Sequence, residues 1–264
     1  MSSKEPSKHW QEFAKRWSRL GSPLRPCAED VENFRTAMGD EPRRCLLLGV
    51  TPELAELSPQ LTAIDNNADM ITALWMNRRE AILGDWLEMP FAPASFDTII
   101  GDGCLTLLSQ SDQHERFFEQ LSKLLRPGGK ILLRVFVSAD NKETREHVCQ
   151  EALNGKMKGF HAFKWRLSMA IASEATDFTL SVAETAATFD RLITDREQLA
   201  ATTNWSTEDI DTIDFYRGSD ARYCYPTLMQ VRKLIPHSLK EIDVIYGSYE
   251  LAERCPILVL ESRK

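Results

Sequence analysis

Five short apolar runs, separated by helical segments, constrain the fold of this chain more than any other feature. They cover residues 45–50, 61–64, 81–83, 96–100 and 131–137. Four of them run into glycine or aspartate: Gly49, Asp65, Gly84-Asp85 and Gly101-Asp102-Gly103; the fifth follows the turn Pro127-Gly128-Gly129. Continuous apolar runs, as opposed to alternating ones, are the pattern of strands covered on both faces. The helical stretches between them, such as 69–79 and 113–125, are the crossovers that a parallel sheet requires. Two later runs, 241–246 and 256–260, close the sheet as an adjacent pair. The expected fold is α/β: a doubly wound, mostly parallel seven-stranded sheet with a helical insertion between strands five and six.

The remaining segments divide around this core. Residues 1–40 read as a helical leader, with Trp10, Phe13, Trp17 and Leu20 at helical spacing before Gly21-Ser22-Pro23 breaks the pattern. A second helix is expected over 28–38, ending at Gly39. The core is expected over 41–137 and 236–264, and the insertion over 138–235. Phe160, Phe163, Leu167 and Ile171 mark one helical face of the insertion. Further on, Ser206 reads as an N-cap with Asp209 at N3 and a Trp205/Ile210 staple.

Composition narrows the function. The 264 residues carry 43% hydrophobic and 27% charged side chains, enough for a large core without a disulfide or metal staple. A net charge of −7 argues against nucleic acid as a partner. The apolar runs are too short to span a bilayer, and residues 1–8 lack the apolar stretch of a secretory signal. A cytoplasmic protein without membrane contact is expected. The six cysteines include no C-x-x-C pair, and the five histidines no H-x-x-x-H pair, so no metal site is expected. Cys45 and Cys104 read as buried structural thiols.

Ligands of open α/β sheets bind beyond the carboxyl ends of the strands, where this chain gathers Gly49, Asp65, Asp85 and Asp102. The order and spacing of several segments resemble the class I S-adenosylmethionine-dependent methyltransferases, which have a Rossmann-like fold. Leu46-Leu47-Leu48-Gly49-Val50-Thr51-Pro52-Glu53 stands at the first, glycine-rich motif, and Ile64-Asp65 at the acidic end of strand two. Gly84-Asp85-Trp86, with Met89-Pro90-Phe91, is similar to the adenine-side segment. Residues 96–102 look like the strand-four motif, and Leu125-Arg126-Pro127-Gly128-Gly129-Lys130 like the turn into strand five. The resemblance implies S-adenosylmethionine as cofactor, held by Gly49, Val50, Thr51, Asp65, Asn66, Asp85, Trp86, Asp102 and Gly103. It gives Asp65 the ribose hydroxyls, Asp85 the adenine amino group, Trp86 an apolar wall, and Asp102 a position near methyl transfer.

The first motif departs from the family pattern. Leu47 stands at the usual acidic position, and only Gly49 survives of the glycines. Thr51, Pro52 and Glu53 read as N-cap, N1 and N2 of a helix, so a carboxylate already occupies the positive helix end that a dinucleotide's phosphates need. That chemistry disfavours NAD and suits a phosphate-free, cationic methyl donor. The expected activity is methyl transfer to a small-molecule acceptor by in-line displacement. The alternative is a non-catalytic sensor or partner subunit that binds the same cofactor. His161 and Tyr223 are candidate bases, Arg16, Arg217 and Arg222 candidate anchors for an anionic acceptor, and Trp10 and Trp17 a candidate lid.

Overall fold

The computed structural model describes residues 14–15, 17–39, 44–76, 78–109 and 111–263. Nine strands follow one another along the described chain: β1 (Cys45–Leu48), β2 (Leu61–Asp65), β3 (Glu80–Leu83), β4 (Phe96–Asp102), β5 (Leu125–Arg134), β6 (Thr179–Ser181), β7 (Arg222–Cys224), β8 (Leu239–Ile245) and β9 (Ile257–Ser262). Seven build one sheet in the order β3-β2-β1-β4-β5-β9-β8. The first five are parallel and β8 and β9 are adjacent, as the sequence predicts; β9 pairs antiparallel with both β5 and β8.

Side chains alternate across this sheet with a period of two, and each face meets its own helices. Leu47, Ala63, Ile100 and Leu132 pack with Phe34 and Met38 of α1 (Ala28–Met38) and Met70 of α2 (Ala68–Leu74). Leu46, Leu48, Ile99 and Leu133 pack with Phe117, Phe118 and Leu121 of α3 (Ser111–Leu124). Cys45 and Cys104 are buried in these layers.

The boundaries depart from expectation where the chain must turn. The helix after β2 stops at Leu74, not Arg79, because β3 begins at Glu80 and the chain must reverse first; the Trp75 indole donates to the Arg79 carbonyl at 2.8 Å across that reversal. Pro127-Gly128-Gly129 lies inside β5 as an irregularity: Phe96 pairs with Leu125, and pairing resumes at Thr98 with Lys130. Beyond Arg134, residues 135 and 137 still donate to the carbonyls of Pro256 and Arg254, but β4 has ended at Asp102. After β1 the expected helix is only a 3-10 turn, Pro52–Leu54, and the Thr51 side chain forms no cap.

Between β5 and β8 lie α4 (Arg145–Leu153), α5 (Phe160–Ala172), α6 (Val182–Leu192), α7 (Arg196–Thr203), α8 (Thr207–Asp211) and α9 (Leu228–Leu234). This stretch is not wholly helical, since β6 and β7 form a small antiparallel sheet. Phe160, Phe163, Leu167 and Ile171 lie in a separate apolar cluster. Ser206 caps α8, accepting from the Asp209 amide at 3.0 Å. Val231 of α9 sits in the sheet's own apolar cluster with α3.

Candidate functional site

A cavity of about 410 Å³ opens beyond the carboxyl ends of β1, β2 and β4. Gly49, Val50, Thr51, Asp65, Asn66, Asp85, Trp86, Asp102 and Gly103 all line it. Three strand tips and the loop after β3 therefore bring the predicted cofactor residues into one space.

Gly49 has φ +91°, a backbone state that β-carbon-bearing residues rarely adopt. Its N–H and the Trp86 indole N–H both donate to the Ile64 carbonyl, at 2.8 and 2.9 Å. A β-carbon at position 49 would stand 3.7 Å from the Trp86 ring and 3.8 Å from Asp65 Oδ2. The missing side chain thus leaves the backbone open toward both groups. Asp65 Oδ1 accepts from the Asn67 amide at 2.8 Å, and Asn67 in turn caps α2 through the amides of Asp69 and Met70. Burial pushes the Asp65 carboxyl up to about 6, against the lowering effect of the Asn67 and Asn66 amides. Asp85 Oδ1 accepts from the Leu87 amide at 2.9 Å, which fixes the turn that presents Trp86.

Asp102 is held differently. Its register partner on β5 is Arg134, whose Nε donates to Asp102 Oδ1 at 2.6 Å. The same guanidinium donates to Asp30 Oδ2 of α1 at 2.8 Å and to the Pro23 carbonyl at 3.0 Å. Tyr249 donates to Asp30 Oδ1 at 2.8 Å. Arg134 is 0% exposed, so this buried network joins the leader to the tips of β4 and β5. Burial raises the Asp102 carboxyl, while Arg134 pulls it back down. Gly103 follows with φ +67°, and a β-carbon there would meet Phe136 at 2.6 Å.

The leader contributes Trp17 and Leu24 to the cavity wall. The Trp17 indole donates to Glu53 Oε1 at 3.1 Å, and Arg25 pairs with the same oxygen at 3.1 Å. Glu53 therefore anchors the leader to the first loop. Trp10, Phe13 and Arg16 lie outside the described residues.

Across from the strand tips, Phe136, Trp165, Arg222 and Tyr223 close the cavity. Burial holds the Tyr223 phenol well above its ordinary range, which keeps it protonated. His161 is not brought to the cavity wall. Its Nε2 lies 3.1 Å from the Arg19 carbonyl, and burial, with Lys164 nearby, lowers it to about 4. The candidate imidazole is therefore neutral, enclosed and tied to the leader. Arg217 is likewise elsewhere, paired with Asp190 and Asp214. Phe136, Asn67 and Arg134 escaped the sequence reading; an arginine at the centre of an apolar strand run was the available signal for the last.

Among the described residues no cluster of three or more His, Cys, Asp or Glu side chains can hold a metal. None of the described helices is long and apolar enough to cross a membrane.

Residues 48–133, which run from the last residue of β1 through nearly all of β5 and include all the predicted cofactor residues, match the family profile described as a methyltransferase domain. The fold is that of the class I S-adenosylmethionine-dependent methyltransferases. A protein of Encephalitozoon cuniculi named as a methyltransferase is 36% identical over 58 residues, and that match spans 22% of this chain and 28% of that protein. The methyltransferase fold extends to solved structures over nearly the whole chain. The CcbJ methyltransferase of Streptomyces caelestis is 11% identical, with 99% of this chain and 100% of that one covered and a TM-score of 0.58. A Rhodobacter sphaeroides protein described under Zn-dependent alcohol dehydrogenases is 14% identical, with 99% and 100% covered and a TM-score of 0.63. At these identities the likeness concerns the fold alone, and the dehydrogenase wording belongs to that protein.

Proposed function

We propose that this chain is an S-adenosylmethionine-dependent methyltransferase that acts on a small-molecule acceptor. The observation that carries this reading is the pairing of Asp65 with a bare Gly49 backbone at one cavity, 3.8 Å from a β-carbon position the glycine leaves vacant. A carboxylate in that setting accepts from two vicinal hydroxyls, as a ribose offers them. Trp86, fixed by the Ile64 carbonyl, gives a flat apolar surface for a base, and Asp85 a carboxylate beside it.

The lining also fits the ligand's charge. Among the described residues, Asp65, Asp85 and Asp220, with Asp102 paired to Arg134, line the cavity against the one cationic side chain of Arg222. Phosphates would be repelled there, whereas a sulfonium and an ammonium are attracted. When bound, the cofactor supplies a methyl group on a good leaving sulfur. The chain's own residues then orient the acceptor in line with that bond and exclude water, which contributes up to roughly 7–11 kcal/mol toward the barrier. Trp17 and Leu24 of the leader serve as the cover on this reading.

A second reading is a non-catalytic sensor with the same ligand. It draws on Leu47, which stands at the family's acidic position and is fully buried against α1, so it offers no polar group to the methionine end. Calorimetric titration with S-adenosylhomocysteine tests both. Binding that Asp65→Ala weakens at least about tenfold, with melting temperature kept, is expected; absence of binding to the unmodified chain overturns both readings. Methyl release in the presence of an acceptor separates enzyme from sensor.

A further inference from the structure

Building on the methyltransferase reading of the site, we propose that Arg134 is a positioning residue for cofactor binding. Without reaching the cavity itself, its guanidinium sets Asp102, Phe136 and the Pro23-Leu24 turn of the leader against one another.

The place of the charge in the chain is the first sign. Arg134 ends β5 between Leu133 and Val135, each 1% exposed, and is itself fully buried. A cation at such a position costs desolvation, and a buried ion pair is a weak source of stability next to an apolar side chain of similar volume. What the guanidinium adds is geometry: a planar fork of donors aimed in several directions at once.

Each arm of the fork has its own target. Nε donates to Asp102 Oδ1 at 2.6 Å, Nη1 to Asp30 Oδ2 at 2.8 Å, and Nη2 to the Pro23 carbonyl at 3.0 Å. Its Cζ lies over the Phe136 ring, 5.1 Å from the centroid, within reach of a cation–π attraction. Asp102, Phe136 and Leu24 line the cavity, whereas Arg134 does not. One buried group therefore fixes the tip of β4, the loop after β5 and the leader, each of which supplies a piece of the wall.

A second layer holds the fork from behind. Asp30 Oδ2 also accepts from the Cys27 amide at 2.9 Å, and the Tyr249 hydroxyl donates to Asp30 Oδ1 at 2.8 Å. Asp30 is 1% exposed and stands outside the cavity lining. Its route to the cofactor runs through Arg134. Shortening the arginine, or loosening it from behind, frees Asp102 to leave the orientation in which a bound cofactor meets it.

The test is calorimetric titration of the full chain with S-adenosylhomocysteine, well below each variant's melting temperature. There a residue that only stabilises the fold leaves the affinity of the folded chain unchanged. Arg134→Lys keeps the charge and loses the fork, and is expected to weaken binding about tenfold. Asp102→Asn is expected to weaken it by a similar factor. The double variant should lose no more than about tenfold, because one residue acts through the other. Asp30→Asn, paired with Asp102→Asn in the same cycle, keeps the question open to measurement should Arg134→Lys fail to fold; alone it is expected to cost about threefold. If the unmodified chain does not bind the ligand, the reading of the site fails. If it binds, and Arg134→Lys stays within about twofold of it or the double variant loses about a hundredfold, Arg134 does not act through Asp102 and the positioning role is overturned while the cofactor reading stands.

Discussion

Arg134 Nε donates to Asp102 Oδ1 at 2.6 Å, and both side chains are sealed from solvent, at 0% and 5% exposure. A carboxylate at the tip of β4 is thus matched from the neighbouring strand, and the same guanidinium reaches Asp30 on α1. Breaking such a buried pair leaves an uncompensated charge. Arg134→Met is expected to destabilise the chain by about 3–5 kcal/mol in urea denaturation. Adding Asp102→Asn and Asp30→Asn should recover part of that loss, because the stranded carboxylates are then gone. Equal losses in the single and triple variants would refute the pairing.

Gly103 carries the next prediction. It adopts φ +67° and its missing β-carbon would fall 2.6 Å from the Phe136 ring. Gly103→Ala therefore combines left-handed backbone strain with a ring displacement, and about 1–3 kcal/mol of stability should be lost. Phe136 is also a cavity wall, so ligand affinity should fall together with stability. Thermal denaturation and calorimetry on one sample measure both.

Lys164 lies 1% exposed in α5, with Nζ 2.9 Å from Thr212 Oγ1 and close over the Tyr216 ring. Burial lowers its ammonium to about 7, with Asp209 opposing the shift. A lysine depressed in the folded state binds more protons when unfolded, so stability is lost as pH falls from about 10.5 to about 7, below which both states are charged. The contribution is restored as pH rises toward the unfolded value near 10.5. The wild-type chain should gain stability from pH 7 toward pH 10, and Lys164→Met, apolar and of similar length, should flatten that gain. At pH 7 the variant should be more stable by about 1–4 kcal/mol. Urea midpoints at the two pH values decide it.

The sheet was legible because its evidence is local: apolar runs and their terminal glycines and aspartates are contiguous in sequence. Gly49, Asp65 and Asp85 could be found because a strand tip is simply the residue after a run. The partner of Asp102 was not legible in that way, since it depends on the register of Asp102 with Arg134 across residues far apart in the chain. Trp165 could not be singled out among the insertion's aromatic residues for another reason. Nearly every residue of α5 is buried, so helical periodicity cannot single out the one facing the cavity. The same uniform burial explains why His161, chosen by residue type, turned out to face the leader.

Asp65 makes the cofactor site sensitive to acid. Its carboxyl, raised by burial to about 6 from 3.8, favours the fold when protonated, and that contribution is lost as pH rises through about 6. A ligand whose hydroxyls donate to the ionised carboxylate has the opposite preference. Binding should therefore release a proton below about pH 6, and the affinity for S-adenosylhomocysteine should rise toward pH 6 by up to about tenfold per pH unit, then level off above it. Asp65→Asn removes the titrating group while keeping the side chain's shape, so its weaker affinity should not change with pH over the same range. Calorimetry at pH 5, 6 and 7.5 in buffers of different ionisation enthalpy reports both the affinity and the proton count. A wild-type affinity that is flat from pH 5 to 7.5 would place the ribose away from Asp65 and remove the central contact of the proposed site.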